Sequence, residues 1–198
     1  HVDYLGHTIE EIATTKAKIL REKSILITGW EKEYHKYIPK CKSLDYSNNM
    51  NNWIELVFQK LKIKASIEII SMPGRFERFK NFTLDVAHNE QAMEYLLKKD
   101  NDYENIIIGI LEDKNASDII KKLPQRANIM VCNLPTERGT SSQKLSKIAR
   151  NMKYRCSEYN SVKEAMENAK EQKTLITGSF YTVSEGRNYL ELKGHREL

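Results

Sequence analysis

Acidic, amide and imidazole side chains meet at the end of one apolar run, where a ligand could bind. The segment 85–89 (DVAHN) carries Asp85, His88 and Asn89. An aspartate in an apolar strand needs hydrogen-bond donors or a place at the rim of the fold. At a strand-to-helix turn, His88 and Asn89 can face a ligand, and the free N–H groups of the helix favour an anion. Asn89 is equally suited to cap that helix, so both interpretations stay open.

Three further segments have the side chains of a binding site. Arg75 follows Pro73 and Gly74; glycine allows a ligand to approach closely, and arginine can bind phosphate through two hydrogen bonds. Charged residues follow an apolar run at 112–114, and hydroxyl and aromatic side chains follow another at 179–182. Each also has a plain structural interpretation: a surface arginine, an ordinary loop, and a helix cap.

The polar segments fall within a regular alternation of predicted elements. Apolar runs predict strands over 82–87, 105–111, 127–133, 154–159 and 174–180. Helical spacing predicts helices over 89–99, 116–123, 142–152, 162–173 and from about residue 183 onwards. This alternation indicates βαβ units and a mainly parallel sheet, whose ligands bind beyond the carboxyl ends of the strands. The loops to watch therefore follow residues 87, 111, 133 and 180, and segments 85–89, 112–114 and 179–182 lie at three of these four strand ends.

The first 72 residues are less regular. A helix is predicted over 8–20, with Thr8 as its N-cap and Glu11 completing a capping box. Strands are predicted over 24–29 and 67–70, and a helix over 50–61; Lys16 lies in the first helix and His1 precedes it. Turn residues at 72–74 predict a boundary between domains 1–72 and 73–198.

Composition excludes several classes of protein. The 198 residues carry a net charge of +5 without a dense basic run, so a nucleic-acid binder is not indicated. No apolar stretch is long enough to predict a membrane span. Three cysteines without CxxC spacing argue against a disulfide framework or a zinc site and indicate a reducing, cytoplasmic setting. The start at His1 rather than Met predicts a fragment whose upstream part is absent.

Five motifs occur in an order known from one family. They are HVDYLGHTIEEIATTKAKI at 1–19, PGRFERF at 73–79, LDVAHN at 84–89, GILEDKN at 109–115 and GSFYTVSE at 178–185. Together they resemble the folylpolyglutamate and dihydrofolate synthases of the Mur ligase superfamily. The resemblance implies an α/β fold in which a Rossmann-like, mainly parallel C-terminal domain follows part of a central ATP-binding α/β domain.

The resemblance also implies a reaction and its participants. ATP phosphorylates a carboxylate of folate or dihydropteroate, the amine of L-glutamate attacks the acyl phosphate, and an amide, ADP and phosphate result, with Mg²⁺ as the metal. By resemblance, His1 and a carbamylated Lys16 serve the metal. The implied nucleotide contacts are Arg75, Asp85, His88 and Asn89. The implied catalytic residues are Lys16, His88, Ser179 and Tyr181, the last two near the junction of the domains.

The chain departs from the family at the nucleotide site. It has no G-x4-GK-[ST] phosphate loop, and the upstream acidic magnesium ligand is missing too. Lys18 and Thr15 stand where glycine and glutamate are usual, and the segment 23–72 is shorter than in relatives. We therefore expect the chain to need an N-terminal phosphate-loop segment as its partner. An inactive remnant or binding module of the same fold, and a ligase for peptidoglycan precursors, are the alternatives; the motifs favour folate over the latter.

Overall fold

A computed structural model describes residues 2–64, 72–169 and 171–194. The chain divides into two compact units, His1–Ile69 and Ile70–Leu198. This division lies three residues before the domain boundary predicted after residue 72. Within the described residues, no helix is long and apolar enough to cross a membrane.

The first unit contains one small parallel sheet and several helices. Its elements are α1 (Val2–Leu5), α2 (Ile9–Ala17), β1 (Ile25–Thr28), a 3-10 helix (Lys32–Tyr37), β2 (Ser43–Tyr46) and α3 (Met50–Leu61). The predicted capping box is confirmed, because the Thr8 hydroxyl accepts from the Glu11 N–H at 3.1 Å and the Glu11 carboxylate accepts from the Thr8 N–H at 3.2 Å. Strand β2 and the 3-10 helix were not predicted. The strand predicted over 67–70 lies outside the described residues.

The second unit is a six-stranded sheet with helices on both faces. Its elements are β3 (Glu77–Phe79), β4 (Phe82–Leu84), α4 (Glu90–Lys99), β5 (Asn105–Ile108), α5 (Ala116–Ile120), β6 (Asn128–Cys132), α6 (Ser142–Asn151), β7 (Cys156–Tyr159), α7 (Val162–Ala169), β8 (Thr174–Thr177) and α8 (Phe180–Tyr189). The strand order is β3-β4-β8-β5-β6-β7, and only β3 is antiparallel to its neighbour. The predicted α/β class with a mainly parallel sheet is confirmed.

The central strand β5 shows why the sequence folds into three layers. Ile106 and Ile108 belong to the core beneath α4, α5 and α6, whereas Ile107 belongs to the core beneath α7 and α8. Side chains alternate between the two faces of a strand, so an unbroken apolar run is buried on both sides. Each buried isoleucine contributes about 1.5–3 kcal/mol.

The observed strands end earlier than the predicted ones, and this matters for the site. Strand β4 ends at Leu84 and not at residue 87, and β8 ends at Thr177 and not at residue 180. Residues 85–88 therefore form a loop beyond the carboxyl end of β4, next to the end of β8. Helix α8 begins at Phe180, three residues earlier than predicted.

Candidate functional site

The turn 73–76, called the 73–76 turn below, carries Arg75 on a constrained backbone. Gly74 is buried at φ +68°, and a Cβ there would lie 2.9 Å from Val183 Cγ1, so helix α8 can pack this closely only against glycine. Phe76 also has a positive φ of +52°, which costs a bulky residue about 1–3 kcal/mol and persists only where surrounding contacts fix it. The exposed Arg75 side chain lies between these two fixed positions.

Asp85 supplies the contact that fixes Phe76. Its Oδ2 accepts from the Phe76 N–H at 2.8 Å, and its Oδ1 accepts from the Ala87 N–H at 2.9 Å. The Val86 N–H donates to the Gly74 carbonyl at 3.0 Å, which ties the same two loops together. The donors that a partly buried aspartate requires are thus backbone N–H groups, and the carboxylate stabilises the 73–76 turn.

His88 follows with a defined tautomer. Its Nδ1 lies 2.8 Å from the Val86 carbonyl oxygen. A carbonyl oxygen can only accept, so Nδ1 carries the proton and Nε2 of the neutral ring is an acceptor. The imidazole is partly buried, and its centroid lies 6.0 Å from that of the Phe180 ring.

Phe180 joins Arg75 and His88 into one cluster. The Arg75 guanidinium carbon lies 5.9 Å from the Phe180 ring centroid, within the range of a cation–π interaction. The residue Phe180 is 61% exposed, an unusual position for a phenylalanine. We call Arg75, His88 and Phe180 the edge cluster. It offers a guanidinium, an imidazole acceptor and an open aromatic face at the carboxyl edge of the sheet, a combination suited to an anion linked to a planar ring.

Ser179 and Asn89 both cap helices in this structure. The Ser179 Oγ accepts from the Thr182 N–H at 3.0 Å and lies 2.7 Å from Thr182 Oγ1, which itself donates to the Gly109 carbonyl at 2.9 Å. Ser179 is buried, and the Thr182 proton is already used, so the Ser179 hydroxyl is the donor to Thr182. Asn89 Oδ1 accepts from the Ala92 N–H at 2.8 Å. The catalytic role predicted for Ser179 and the nucleotide contact predicted for Asn89 stay predictions.

The other predicted residues lie outside the edge cluster. Tyr181 is exposed on the first turn of α8. Lys16 is exposed on α2 in the first unit, where it lines a cavity of about 200 Å³ with Leu26, Thr28 and Trp30. His1 lies outside the described residues. In the described part of the chain, no three His, Cys, Asp or Glu side chains are placed to hold a metal ion.

Comparison with known proteins identifies the fold and family. Residues 74–180, more than half of the chain, match the family described as Mur ligase, glutamate ligase domain. The chain belongs to the Mur ligase family. The matched segment begins within the 73–76 turn and ends at Phe180, so the whole edge cluster lies inside this Mur ligase domain.

Two curated relatives carry folate names. The chain is 33% identical over 144 residues to the dihydrofolate synthase/folylpolyglutamate synthase of Buchnera aphidicola. The matched segment covers 66% of this chain and 33% of the relative. It is 28% identical over 128 residues to a probable bifunctional folylpolyglutamate synthase/dihydropteroate synthase of Haloferax volcanii, covering 58% of this chain and 15% of the relative. The chain thus spans only a third or less of the length of these relatives.

Solved structures share the fold. E. coli FolC in complex with DHPP and ADP superposes with a TM-score of 0.77 at 20% identity, over 96% of this chain and 59% of that one. Mycobacterium tuberculosis folylpolyglutamate synthase complexed with ADP superposes with a TM-score of 0.78 at 18% identity. This match covers 98% of this chain and 62% of that one. A bifunctional folylpolyglutamate synthase/dihydrofolate synthase with Mn, AMPPNP and L-glutamate bound superposes with a TM-score of 0.74 at 20% identity. This match covers 97% of this chain and 59% of that one. Nearly the whole chain therefore shares its fold with part of each of these solved structures.

Phe180 lies in the candidate segment 179–182 but is not among the site residues predicted from the sequence. The signal was present, because Phe180 follows a buried strand in the motif at 178–185. The predicted site residues of this motif are its neighbours with hydroxyl groups, Ser179 and Tyr181. Its contacts to Arg75 and His88 join residues more than 90 positions apart, and no local pattern reports such a contact.

Proposed function

We propose that this chain is the C-terminal part of an ATP-dependent ligase that joins L-glutamate to folate or dihydropteroate through an acyl phosphate. Residues 1–72 would belong to its central domain and 73–198 to its ligase domain. The observation that carries the proposal is the edge cluster at the carboxyl edge of a Mur ligase sheet. The folate names of the relatives and the ADP, AMPPNP and L-glutamate of the neighbours support the choice of substrates.

Arg75 and His88 would have distinct tasks in that reaction. Arg75 can place two parallel N–H groups on phosphate oxygens and stabilise the negative charge that moves onto phosphate when the amine displaces it from the acyl carbon. His88, with Nδ1–H held by Val86, presents Nε2 as an acceptor for a hydrogen bond from the amine. Phe180 offers its open face to a planar ring of the ligand, while Asp85 keeps Arg75 in place.

The described residues supply only part of a nucleotide site. The chain has no G-x4-GK-[ST] pattern, so most phosphate donors would come from the N-terminal segment of a longer protein, our proposed partner. That part would also complete the Mg²⁺ site, for which His1 and a carbamylated Lys16 stay our proposed ligands, as Ser179 and Tyr181 stay proposed catalytic residues. Three free thiols agree with a cytoplasmic enzyme.

An assay of glutamate ligation tests this proposal. The longer natural protein that carries this chain should incorporate labelled L-glutamate into dihydropteroate or tetrahydrofolate when MgATP is supplied. The 198-residue chain alone should not. His88→Ala in the longer protein should abolish incorporation while leaving its circular dichroism spectrum unchanged, and His35→Ala, in the first unit, should leave incorporation intact as the matched control.

Two other outcomes separate the alternatives. No incorporation by any natural form of the protein would support the inactive remnant, which the shortened segment 23–72 favours. Activity with peptidoglycan precursors and none with folates would support the other Mur-type ligase. Either result, or full activity of His88→Ala, would contradict the proposal.

A further inference from the structure

The 73–76 turn is held by a second carboxylate besides Asp85. The Oε2 of Glu77 accepts from the Gly74 N–H at 2.8 Å. The same carboxylate receives the Arg187 Nη1 on both of its oxygens. The two side chains are only 23% and 12% exposed, so the ion pair is shielded from water and more persistent than an open surface pair.

Arg187 connects three separate parts of the second unit. It lies in the last turn of α8 and reaches Glu77 on β3. Its Nη2 donates to the Lys193 carbonyl at 2.9 Å and to the Leu192 carbonyl at 3.3 Å. One guanidinium therefore fastens the end of α8 to the edge strand and to the segment that follows the helix.

Helix α8 contacts the 73–76 turn along its length. Phe180, at its first residue, lies against Arg75. Val183, one turn later, packs on Gly74 so closely that a Cβ would not fit. Arg187, one further turn along, holds Glu77 and through it the Gly74 N–H. Besides the hydrogen bonds to Asp85 and Val86, the turn that carries Arg75 therefore has contacts that depend on the position of α8.

We propose that Glu77 and Arg187 are positioning residues that fix the backbone of the 73–76 turn and thereby the place of Arg75 in the edge cluster. This inference rests on the proposed function, because it assigns Arg75 to ligand phosphates. Without Arg187, a partly buried Glu77 carboxylate gains by turning to water and releases the Gly74 N–H. Neither residue needs to contact the ligand.

Two measurements on the 198-residue chain test the inference. In Arg187→Met, amide exchange at Gly74 should accelerate about tenfold, the effect of losing one hydrogen bond to a charged acceptor. A titration with MgATP, followed through the Arg75 and His88 side-chain resonances, should show affinity weaker by a similar factor. Glu77→Ala should do the same while keeping the Arg187 bonds to the carbonyls of Leu192 and Lys193, and so covers the case in which Arg187→Met does not fold.

Arg150→Met is the matched control. Arg150 also pairs with a carboxylate, Glu158 at 3.2 Å, and with a carbonyl, that of Cys156 at 3.3 Å, but it lies on α6. It should change neither Gly74 exchange nor MgATP affinity. In the double variant Glu77→Ala/Arg187→Met the effect should equal that of one single variant, because the two residues act as a unit.

The inference and the proposed function fail separately. Unchanged Gly74 exchange in both folded single variants would overturn the positioning role, whatever the ligand. If Arg75→Met weakens MgATP binding, faster Gly74 exchange with unchanged MgATP affinity in the Glu77 and Arg187 variants would also overturn the positioning role. If Arg75→Met has no effect on MgATP binding, the phosphate role of Arg75 is wrong, and with it the proposed function.

Discussion

Replacing Asp85 by asparagine is the sharpest test of how the site is held. Asparagine keeps one oxygen acceptor but places an NH2 group opposite the other backbone N–H, so one of two hydrogen bonds, at 2.8 and 2.9 Å, is lost. A hydrogen bond to a charged group contributes about 1.5–3 kcal/mol, and the bond that survives loses its charge. We expect Asp85→Asn to lower the free energy of unfolding of the second unit by about 2–3 kcal/mol.

The assay must report on the second unit. Both tryptophans, Trp30 and Trp53, lie in the first unit, so tryptophan fluorescence would miss the effect. Urea unfolding monitored through the amide exchange of the buried β5 residues reports on the core of the second unit. The exchange rates of the Phe76 and Ala87 amides show which of the two hydrogen bonds to residue 85 is lost.

A matched control removes an exposed carboxylate, in contrast to the partly buried carboxylate of Asp85. Asp102→Asn breaks an ion pair of 2.8 Å whose carboxylate is 75% exposed, and it should cost less than about 0.5 kcal/mol. The reasoning is refuted if Asp85→Asn unfolds within about 0.5 kcal/mol of the native chain and the exchange of Phe76 and Ala87 is unchanged.

Three further predictions follow from the second unit. Ser179→Ala should cost about 1–2 kcal/mol in urea unfolding through the lost helix cap, and a cost near zero would contradict the cap. Although burial opposes it, the hydrogen bond from Lys173 at 2.9 Å lowers the pKa of Asp100. The stabilisation that the Asp100 carboxylate gives to the folded state is therefore present above the ordinary carboxyl pKa and is lost as pH falls below about 4. Asp100→Asn should make the free energy of unfolding less dependent on pH in that range. An unchanged pH dependence would refute the role of Asp100. Burial raises the pKa of the Cys132 thiol to about 12, so iodoacetamide at neutral pH should alkylate Cys41 well before Cys132. Peptide mass maps that show equal alkylation rates for the two cysteines would contradict the burial of Cys132.

Much of the second unit could be predicted because its signals are local. The isoleucines of β5 and the helical spacing of α4 and α6 gave elements of the right type. In the first unit, the capping box of α2 likewise gave the start of that helix. Strand ends were overestimated at β4 and β8 because apolar residues such as Val86 and Ala87 are buried in the loop and not in the strand. The start of α8 was predicted three residues late because residues up to 180 were assigned to the strand, although a helix cap within 179–182 was one of the two interpretations.

The parts that sequence could not give depend on contacts between distant residues. Strand β3 was missed because its three residues include two charges, and only the pairing with β4 makes it a strand. The Glu77–Arg187 pair spans 110 positions, and nothing near either residue marks the other. Asp85 could be recognised as a costly residue needing donors, but which backbone N–H groups supply them depends on the 73–76 turn.

The most direct test of the central claim is a nitrogen-edited NMR titration of the 198-residue chain with MgATP. The account predicts weak, millimolar binding, because the phosphate loop is absent, with the largest shifts at Arg75, His88 and Phe180 and with loss of those shifts in Arg75→Met. No shift at these residues, or shifts confined to the opposite edge of the sheet around Asn105 and Asn128, would contradict it.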